Sequence, residues 1–199
     1  MGQRPADTCQ EVDAMFIQTE GTPNPETLKF LPDQAVLDRG TASFNRPEEA
    51  ERSPLAVRLF SVEGVAGVFL GRDFITVTRA SNVEWQPLKP LLLAAIMQHY
   101  ASGEPTVTAP AEPAAEAAVR PEDAEVVAEI RDLIDTRVRP AVAGHGGDIV
   151  FHGYRDGVVM LELHGACSGC PSSMTTLKMG VENMLRHYIP AVQEVREVA

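Results

Sequence analysis

The chain has 199 residues, 44% of them hydrophobic, and a formal net charge of −11. This length suits one large domain or two small ones. The negative charge argues against DNA, RNA or an anionic membrane surface as a partner, because these polyanions bind basic faces. No apolar run approaches the roughly 20 residues that cross a membrane, so we expect neither a nucleic-acid nor a membrane partner.

The amino terminus and the cysteine count bear on the compartment. The first 14 residues contain one arginine and no apolar core, so a secretory signal is not predicted. The three cysteines, Cys9, Cys167 and Cys170, are too few for a disulfide scaffold. We therefore expect a reducing compartment, which is the cytoplasm of a bacterium or an organelle matrix if the protein is eukaryotic.

Residues 15–101 form the first predicted domain. "MFIQTE" (15–20) and "LKFL" (28–31) are typical of short strands, and the turn between them is rich in Pro and Asn. Further along, "VAGVFLG" (65–71) and "FITVTRA" (74–80) predict a β-hairpin.

Two helices are predicted in the same domain. The first begins with Ser53 as N-cap and Pro54 at the first helical position. The second covers 85–101. Its apolar side chains recur at helical spacing and predict one buried face, made of Leu88, Leu91, Leu92, Ala95, Ile96 and His99.

Residues 102–121 are dominated by Ala, Pro and Glu, and they predict a flexible linker because they contain almost no bulky apolar side chains. Beyond this linker, the second domain covers 122–199 and opens with a helix that we expect to end at Pro140. A glycine turn, "GHGGDI" (144–149), follows. We expect Gly146 and Gly147 to reverse the chain and Asp148 to bond its own backbone.

Two strands, a helix and a final strand complete the second domain. The strands "DIVFHGY" (148–154) and "VVMLELHG" (158–165) flank a short turn. The helix has a predicted apolar stripe of Met174, Leu177, Val181, Met184, Leu185 and Tyr188. The element order is α-β-β-α-β, and the fold class of the whole chain is α+β with two small domains.

Cys167 and Cys170 lie in the turn between the second strand and that helix, whose first residue is Pro171. The positive end of the helix dipole is expected to lower the pKa of both thiols below the usual value of about 8.5. A tetrahedral site or a cubic cluster takes four ligands, and one domain supplies two. The pattern therefore predicts a [4Fe–4S] cluster shared by a homodimer. Such a shared site comes apart easily and suits a carrier better than an enzyme.

Three alternatives remain open at this point. A C-x-x-C pair after a strand is also the layout of a thiol–disulfide oxidoreductase, although only 29 residues follow Cys170. His164 precedes Cys167 by three positions and supplies a possible third zinc ligand. Strand alternation places His164 on the face of Glu162, where a partly exposed histidine is the simpler interpretation. Finally, both cysteines can be buried packing groups.

The segment "GACSGCPSSMTTLKMGVENMLRHYIPAVQEV" (165–195) resembles the C-terminal domain of the NifU-like, or Nfu, iron–sulfur scaffold and carrier proteins, and "FIQTEGTPNPETLKFLP" (16–32) resembles their N-terminal domain. The resemblance implies that Cys167 and Cys170 ligate a [4Fe–4S] cluster shared between protomers. It also implies delivery to apo iron–sulfur enzymes, with an upstream assembly scaffold as a further partner. For the N-terminal domain it implies recognition of clients or partners.

Overall fold

The computed structural model describes residues 16–108, 120–167 and 171–198, without the side chains of 171–175. The described chain has two sheets, each packed against helices, and this arrangement confirms the α+β class. We call the five-stranded sheet with its helices the N-terminal domain. The three-stranded sheet with its helices is the C-terminal domain.

The N-terminal sheet is antiparallel and has the strand order β1-β2-β5-β4-β3. The predicted hairpin is confirmed as β4 and β5, whereas the short β3 and the 3-10 turn at Pro47–Arg52 were not predicted. Helices α1 and α2 pack on one face of the sheet around a core that includes Phe30, Leu59, Leu70, Ile75 and Ile96. The elements are β1 (Ile17–Gly21), β2 (Thr27–Pro32), β3 (Ala42–Phe44), α1 (Pro54–Phe60), β4 (Val65–Leu70), β5 (Ile75–Arg79) and α2 (Trp85–Ser102).

Helix α1 begins where the sequence predicted. The Oγ of Ser53 accepts a hydrogen bond of 3.1 Å from the backbone N–H of Ala56, and Pro54 occupies the first helical turn. The same hydroxyl donates a bond of 2.6 Å to the carbonyl oxygen of Thr106. Ser53 therefore both caps the helix and ties down the chain that leaves α2.

The buried face of α2 is narrower than the helical spacing of its apolar residues predicted. The predicted positions are buried except Leu91, whose side chain is 55% exposed. The prediction for Leu91 is wrong because α2 contacts α1 and the sheet along a narrower stripe, and Leu91 lies at its solvent edge. Gly103 ends the helix in the left-handed conformation, with φ of 68°.

The C-terminal sheet has the strand order β6-β7-β8, with β6 and β7 antiparallel and β7 and β8 parallel. Its helices pack around one apolar core, and the predicted order α-β-β-α-β is confirmed. The elements are α3 (Ala124–Leu133), α4 (Arg139–Gly144), β6 (Gly147–Arg155), β7 (Val158–Gly165), α5 (Pro171–Tyr188) and β8 (Glu194–Glu197).

The first helix of this domain does not end at Pro140, as the sequence predicted. It passes from α3 through one π-helical turn, Ile134–Val138, into α4. Proline lacks an N–H and disturbs a regular helix four residues upstream. Here Pro140 lies in the first turn of α4, and the wider turn before it absorbs the disturbance, so the helical path continues to Gly144.

The predicted apolar stripe of α5 is confirmed at the centre of the helix, but the prediction is wrong at its C-terminal end. Val181 and Leu185 are buried, whereas Tyr188 is 49% exposed. The guanidinium of Arg137 lies 5.0 Å from the centre of the Tyr188 ring and donates a bond of 3.2 Å to its hydroxyl. Met174 belongs to the residues whose side chains are not described.

Candidate metal centre

Cys167 follows the end of β7, and α5 begins four residues later at Pro171. Gly165 adopts a positive φ of 69°, which turns the chain out of the strand. The N–H of Ala166 then donates a bond of 3.1 Å to the carbonyl oxygen of Gly146. Cys167 is thus held at the junction of two loops. Cys170 lies outside the described residues.

The Cys167 side chain faces the apolar core of the C-terminal domain. It is 8% exposed and belongs to the same buried cluster as Ile149 and Leu163. It also lies directly against Gly147, where a built Cβ would approach Sγ to 2.8 Å. In this conformation the sulfur is covered by its own domain.

This burial overturns the expected thiol chemistry of Cys167. Burial raises its pKa to about 11, and the negative charge of Asp148 acts in the same direction. The predicted lowering by the dipole of α5 is wrong for this residue, because desolvation of the thiolate dominates. In this conformation burial therefore favours the protonated thiol of Cys167 over its thiolate.

Asp148 was predicted to bond its own backbone, and this prediction is wrong. Its Oδ2 accepts a hydrogen bond of 2.8 Å from Thr41 of the N-terminal domain. Its Oδ1 lies 3.2 Å from Nε of Arg139. The carboxylate is buried, and Oδ1 has no hydrogen-bond partner among the described residues, so Thr41 supplies a hydrogen bond and Arg139 a compensating charge. Asp148 connects the two domains next to residues 165–167, the described part of the chain between β7 and α5, which we call the cysteine loop.

His164 points away from the buried cluster that holds Cys167. Its Nε2 lies 3.4 Å from a carboxylate oxygen of Glu162, and this neighbour confirms the predicted shared face. Its ring is parallel to that of Phe69, with 6.5 Å between the ring centres. Across 16–108, 120–167 and 171–198, no group of three or more His, Cys, Asp and Glu side chains is placed to hold a metal ion. The zinc alternative with His164 also needs Cys170, which lies outside the described residues, so it stays a prediction.

The comparisons with known proteins identify the family. Residues 17–103 match the family described as "Scaffold protein Nfu/NifU N terminal", and residues 130–196 match the "NifU-like domain". The chain is 51% identical over 195 residues to the human protein named "NFU1 iron-sulfur cluster scaffold homolog, mitochondrial". That alignment covers 98% of this chain and 76% of the human protein. This chain belongs to the Nfu family.

Two further relatives are similar over smaller shares. A Drosophila sechellia protein of the same name is 52% identical over 186 residues, which are 93% of this chain and 65% of the fly protein. The chain thus spans just under two thirds of that relative. The solution structure of a NifU-like protein from Saccharomyces cerevisiae matches with 27% identity and a TM-score of 0.44, over 48% of this chain and 87% of that one.

The residues that form the contact between the domains lie within the two Nfu family matches. Thr41 and Phe69 lie in the N-terminal match, and Asp148, His164 and Cys167 lie in the NifU-like match. Sequence reasoning missed the contacts of Thr41 and Phe69, because no local pattern joins residues about a hundred positions apart. Among the described helices of this Nfu chain, none combines the length and the apolarity required to cross a membrane.

Proposed function

We propose that this Nfu-family chain is a non-enzymatic iron–sulfur carrier that holds one [4Fe–4S] cluster between two protomers. Cys167 and Cys170 of each protomer are the proposed ligands. The human and fly relatives are named as iron–sulfur cluster scaffold homologs, which supports the class of cargo. A cubic cluster takes four thiolates, whereas the NifU-like match contains two cysteines. This half set of ligands is the observation that carries the two-chain site.

The donor chemistry of the cysteine loop fits this cargo. Cysteine thiolates are the usual ligands of iron–sulfur clusters, and Cys167 follows the end of β7 and lies against Gly147. The thiol faces inward in the described conformation, so loading requires this loop to rearrange. A cluster held between two chains is easy to transfer, which suits delivery to apo iron–sulfur proteins.

The remaining partners follow from the same proposal. An upstream assembly scaffold supplies the cluster, and the N-terminal domain recognises clients or partners. The net charge of −11 supports protein partners over nucleic acid or an anionic membrane. The human and fly relatives are named mitochondrial. We propose an organelle matrix for the chain if it is eukaryotic and the cytoplasm if it is bacterial.

Anaerobic reconstitution with iron and sulfide tests the proposal. Iron, sulfide and protein are quantified, the mass is measured by light scattering after gel filtration, and Mössbauer spectroscopy identifies the cluster type. We expect one [4Fe–4S] cluster for two chains, which is about two iron atoms per chain, and a dimeric mass. A loaded protein that remains monomeric would contradict the shared site.

Cysteine variants identify the ligands in the same assay. Cys167→Ala and Cys170→Ala are each expected to lose the cluster, because each removes two of the four thiolates from a dimer. Cys9→Ser is the matched control and is expected to load normally. A Cys167→Ala protein that still carries stoichiometric iron would refute the ligand assignment. A colourless protein that binds zinc or cycles a disulfide would favour the alternatives.

A further inference from the structure

Three side chains form a row across the outer face of the N-terminal sheet, opposite the face that packs on α1 and α2. Lys29, Thr76 and Phe69 lie side by side on β2, β5 and β4, because the strand register pairs Lys29 with Thr76 and Thr76 with Phe69. All three are buried, and Thr76 is only 1% exposed. The helices of their own domain cannot cover this face, so another part of the molecule does.

The cover is the backbone of the C-terminal domain on either side of the cysteine loop. The hydroxyl of Thr76 donates a buried bond of 2.8 Å to the carbonyl oxygen of Gly146. The ammonium of Lys29 donates a bond of 3.3 Å to the carbonyl oxygen of Gly144. Phe69 completes the row by stacking on His164. Each member of the row therefore contacts the C-terminal domain near Cys167, at Gly144, Gly146 or His164.

One carbonyl group joins the row to the cysteine. The oxygen of Gly146 accepts the bond from Thr76 and also a bond of 3.1 Å from the N–H of Ala166, the residue before Cys167. The next residue, Gly147, touches the sulfur itself. A displacement of the Gly146 carbonyl would therefore disturb both the backbone and the packing that hold Cys167 inward.

Two glycines make this close approach possible. A Cβ on Gly146 would lie 3.0 Å from Oγ1 of Thr76, and a Cβ on Gly165 would lie 3.0 Å from the Phe69 ring. Both glycines have positive φ, 80° and 69°. They serve the turns, as the sequence indicated for Gly146, and they also leave the space into which the N-terminal domain fits.

We propose that the row of Lys29, Thr76 and Phe69 is a latch that holds the cysteine loop closed, with Cys167 facing inward. Release of the latch is the step that exposes the thiol. The consequence for cluster loading rests on the proposed function, whereas the access of Cys167 does not. In the closed form the N-terminal domain packs against Gly146 and Gly165, which lie beside Cys167, so we expect loading only in molecules whose domains have separated.

The size of the contact and the length of the connection are compatible with release. The row supplies two hydrogen bonds and one ring stack, Thr41 adds a hydrogen bond to Asp148, and a cleft of about 660 Å³ opens between the domains. Small polar contacts between domains permit relative motion. Eleven residues, 109–119, separate the described ends Thr108 and Arg120. A connection of that length reaches at most about 40 Å, which is enough for separation.

Thiol labelling of the apo protein tests the latch without any cluster. In the full chain with Cys9→Ser and Cys170→Ser, Cys167 is the only thiol, and its rate of reaction with a maleimide is measured at one fixed pH. Adding Thr76→Arg places a long side chain where the Gly146 carbonyl lies in the closed form. We expect labelling to be faster by at least about tenfold, because opening then no longer includes breaking the row.

Thr78→Arg is the matched control. Thr78 lies two residues along β5 on the same face, and its hydroxyl contacts Thr27 within the N-terminal domain. We expect its labelling rate to stay within about twofold of the parent, because an arginine there does not meet Gly146. Equal rates for the parent and for a folded Thr76→Arg protein would overturn the latch, and so would equal acceleration by both arginines.

A milder variant decides the question if Thr76→Arg fails to fold. Thr76→Val removes the hydroxyl that donates to the Gly146 carbonyl and keeps the side-chain shape. Faster labelling of Thr76→Val supports the latch, and an unchanged rate overturns it. The two proposals fail separately. If the latch variants expose Cys167 but no variant with intact cysteines takes up a cluster, the carrier function is wrong and the latch stands.

Discussion

A Cβ atom on Gly147 would lie 2.8 Å from Sγ of Cys167 and 2.6 Å from the carbonyl oxygen of His164. Gly147 begins β6 and pairs with Gly165 at the end of β7. The inward position of Cys167 therefore depends on the absence of a side chain at residue 147. The backbone carbonyl cannot move aside as a flexible side chain would, so this contact is stiff.

Gly147→Ala is expected to destabilise the C-terminal domain by about 1–3 kcal/mol, the usual cost of forcing an extra methyl group into a packed site. The measurement is urea unfolding followed by far-UV circular dichroism. Trp85 is the only tryptophan and lies in the N-terminal domain, so its fluorescence transition reports the other domain and is expected to change less.

Gly144→Ala is the control for this substitution. Gly144 is the last residue of α4, and a Cβ there would meet nothing within 4 Å. Its free energy of unfolding is expected to stay within about 0.5 kcal/mol of the parent. If both alanines cost the same, the destabilisation comes from losing glycine in general and the contact with Cys167 is unimportant.

Much of the fold could be predicted because its signals are local. Ser53 and Pro54 stand next to the helix that they start, and the C-x-x-C pair stands next to the helix that follows it. Leu91 and Tyr188 were misplaced because a 3.6-residue period shows that a face exists but not how wide the neighbouring element is. The width depends on tertiary packing, which a single helix does not encode.

The chemistry of the site was less predictable for the same reason. The helix-dipole argument for Cys167 uses only the adjacent helix, whereas its burial comes from Ile149, on another strand, and from the rest of the core. Asp148 meets Thr41, which is 107 positions away. No sequence pattern in one chain connects such residues, so the burial of Cys167 and the contact between the domains required the structure.

Ser53→Ala is expected to destabilise the N-terminal domain by about 1–2 kcal/mol. The hydroxyl is buried, accepts the N–H of Ala56 and donates to the carbonyl of Thr106. Its removal deletes the cap and leaves a buried N–H without its acceptor. The fluorescence of Trp85 during urea unfolding measures the loss. Ser61→Ala is the control. The exposed Ser61 hydroxyl donates to the carbonyl oxygen of Val57, which also accepts the backbone N–H of Ser61, so no buried group loses its partner. A cost equal to that of Ser53→Ala would rule out the capping argument.

Cluster removal is expected to return the loaded dimer to monomers. In the proposed site, the four bonds from thiolates to iron come equally from the two chains, so these bonds are the link between them. The measurement is sedimentation velocity before and after treatment with an oxidant and an iron chelator, with the visible absorbance of the cluster followed in parallel. A dimer that persists after the colour is lost would show that protein contacts, and not the cluster, hold the chains together.

His99 is expected to make the N-terminal domain less stable in mild acid. It is fully buried in α2, and among the described residues neither ring nitrogen has a hydrogen-bond partner. Burial and then the positive charge of Arg58 lower its pKa, and the opposing effect of Glu104 is smaller. The folded domain therefore keeps His99 neutral at a pH where the unfolded chain, with a pKa near 6.5, takes up a proton.

The direction of the effect follows from that difference in bound protons. The contribution of His99 is fully present above pH 6.5 and falls as the pH drops toward the lowered pKa of the folded state, by at most about 1.4 kcal/mol per pH unit. Urea unfolding of the wild type, followed by Trp85 fluorescence between pH 7.5 and 5.5, measures the loss.

His99→Phe removes the titrating ring and is expected to show a shallower pH dependence, whatever its baseline stability. His145→Gln alters an exposed histidine and is expected to keep the wild-type slope. If His99→Phe and the wild type lose stability in parallel, the acid sensitivity arises from carboxylates elsewhere in the domain.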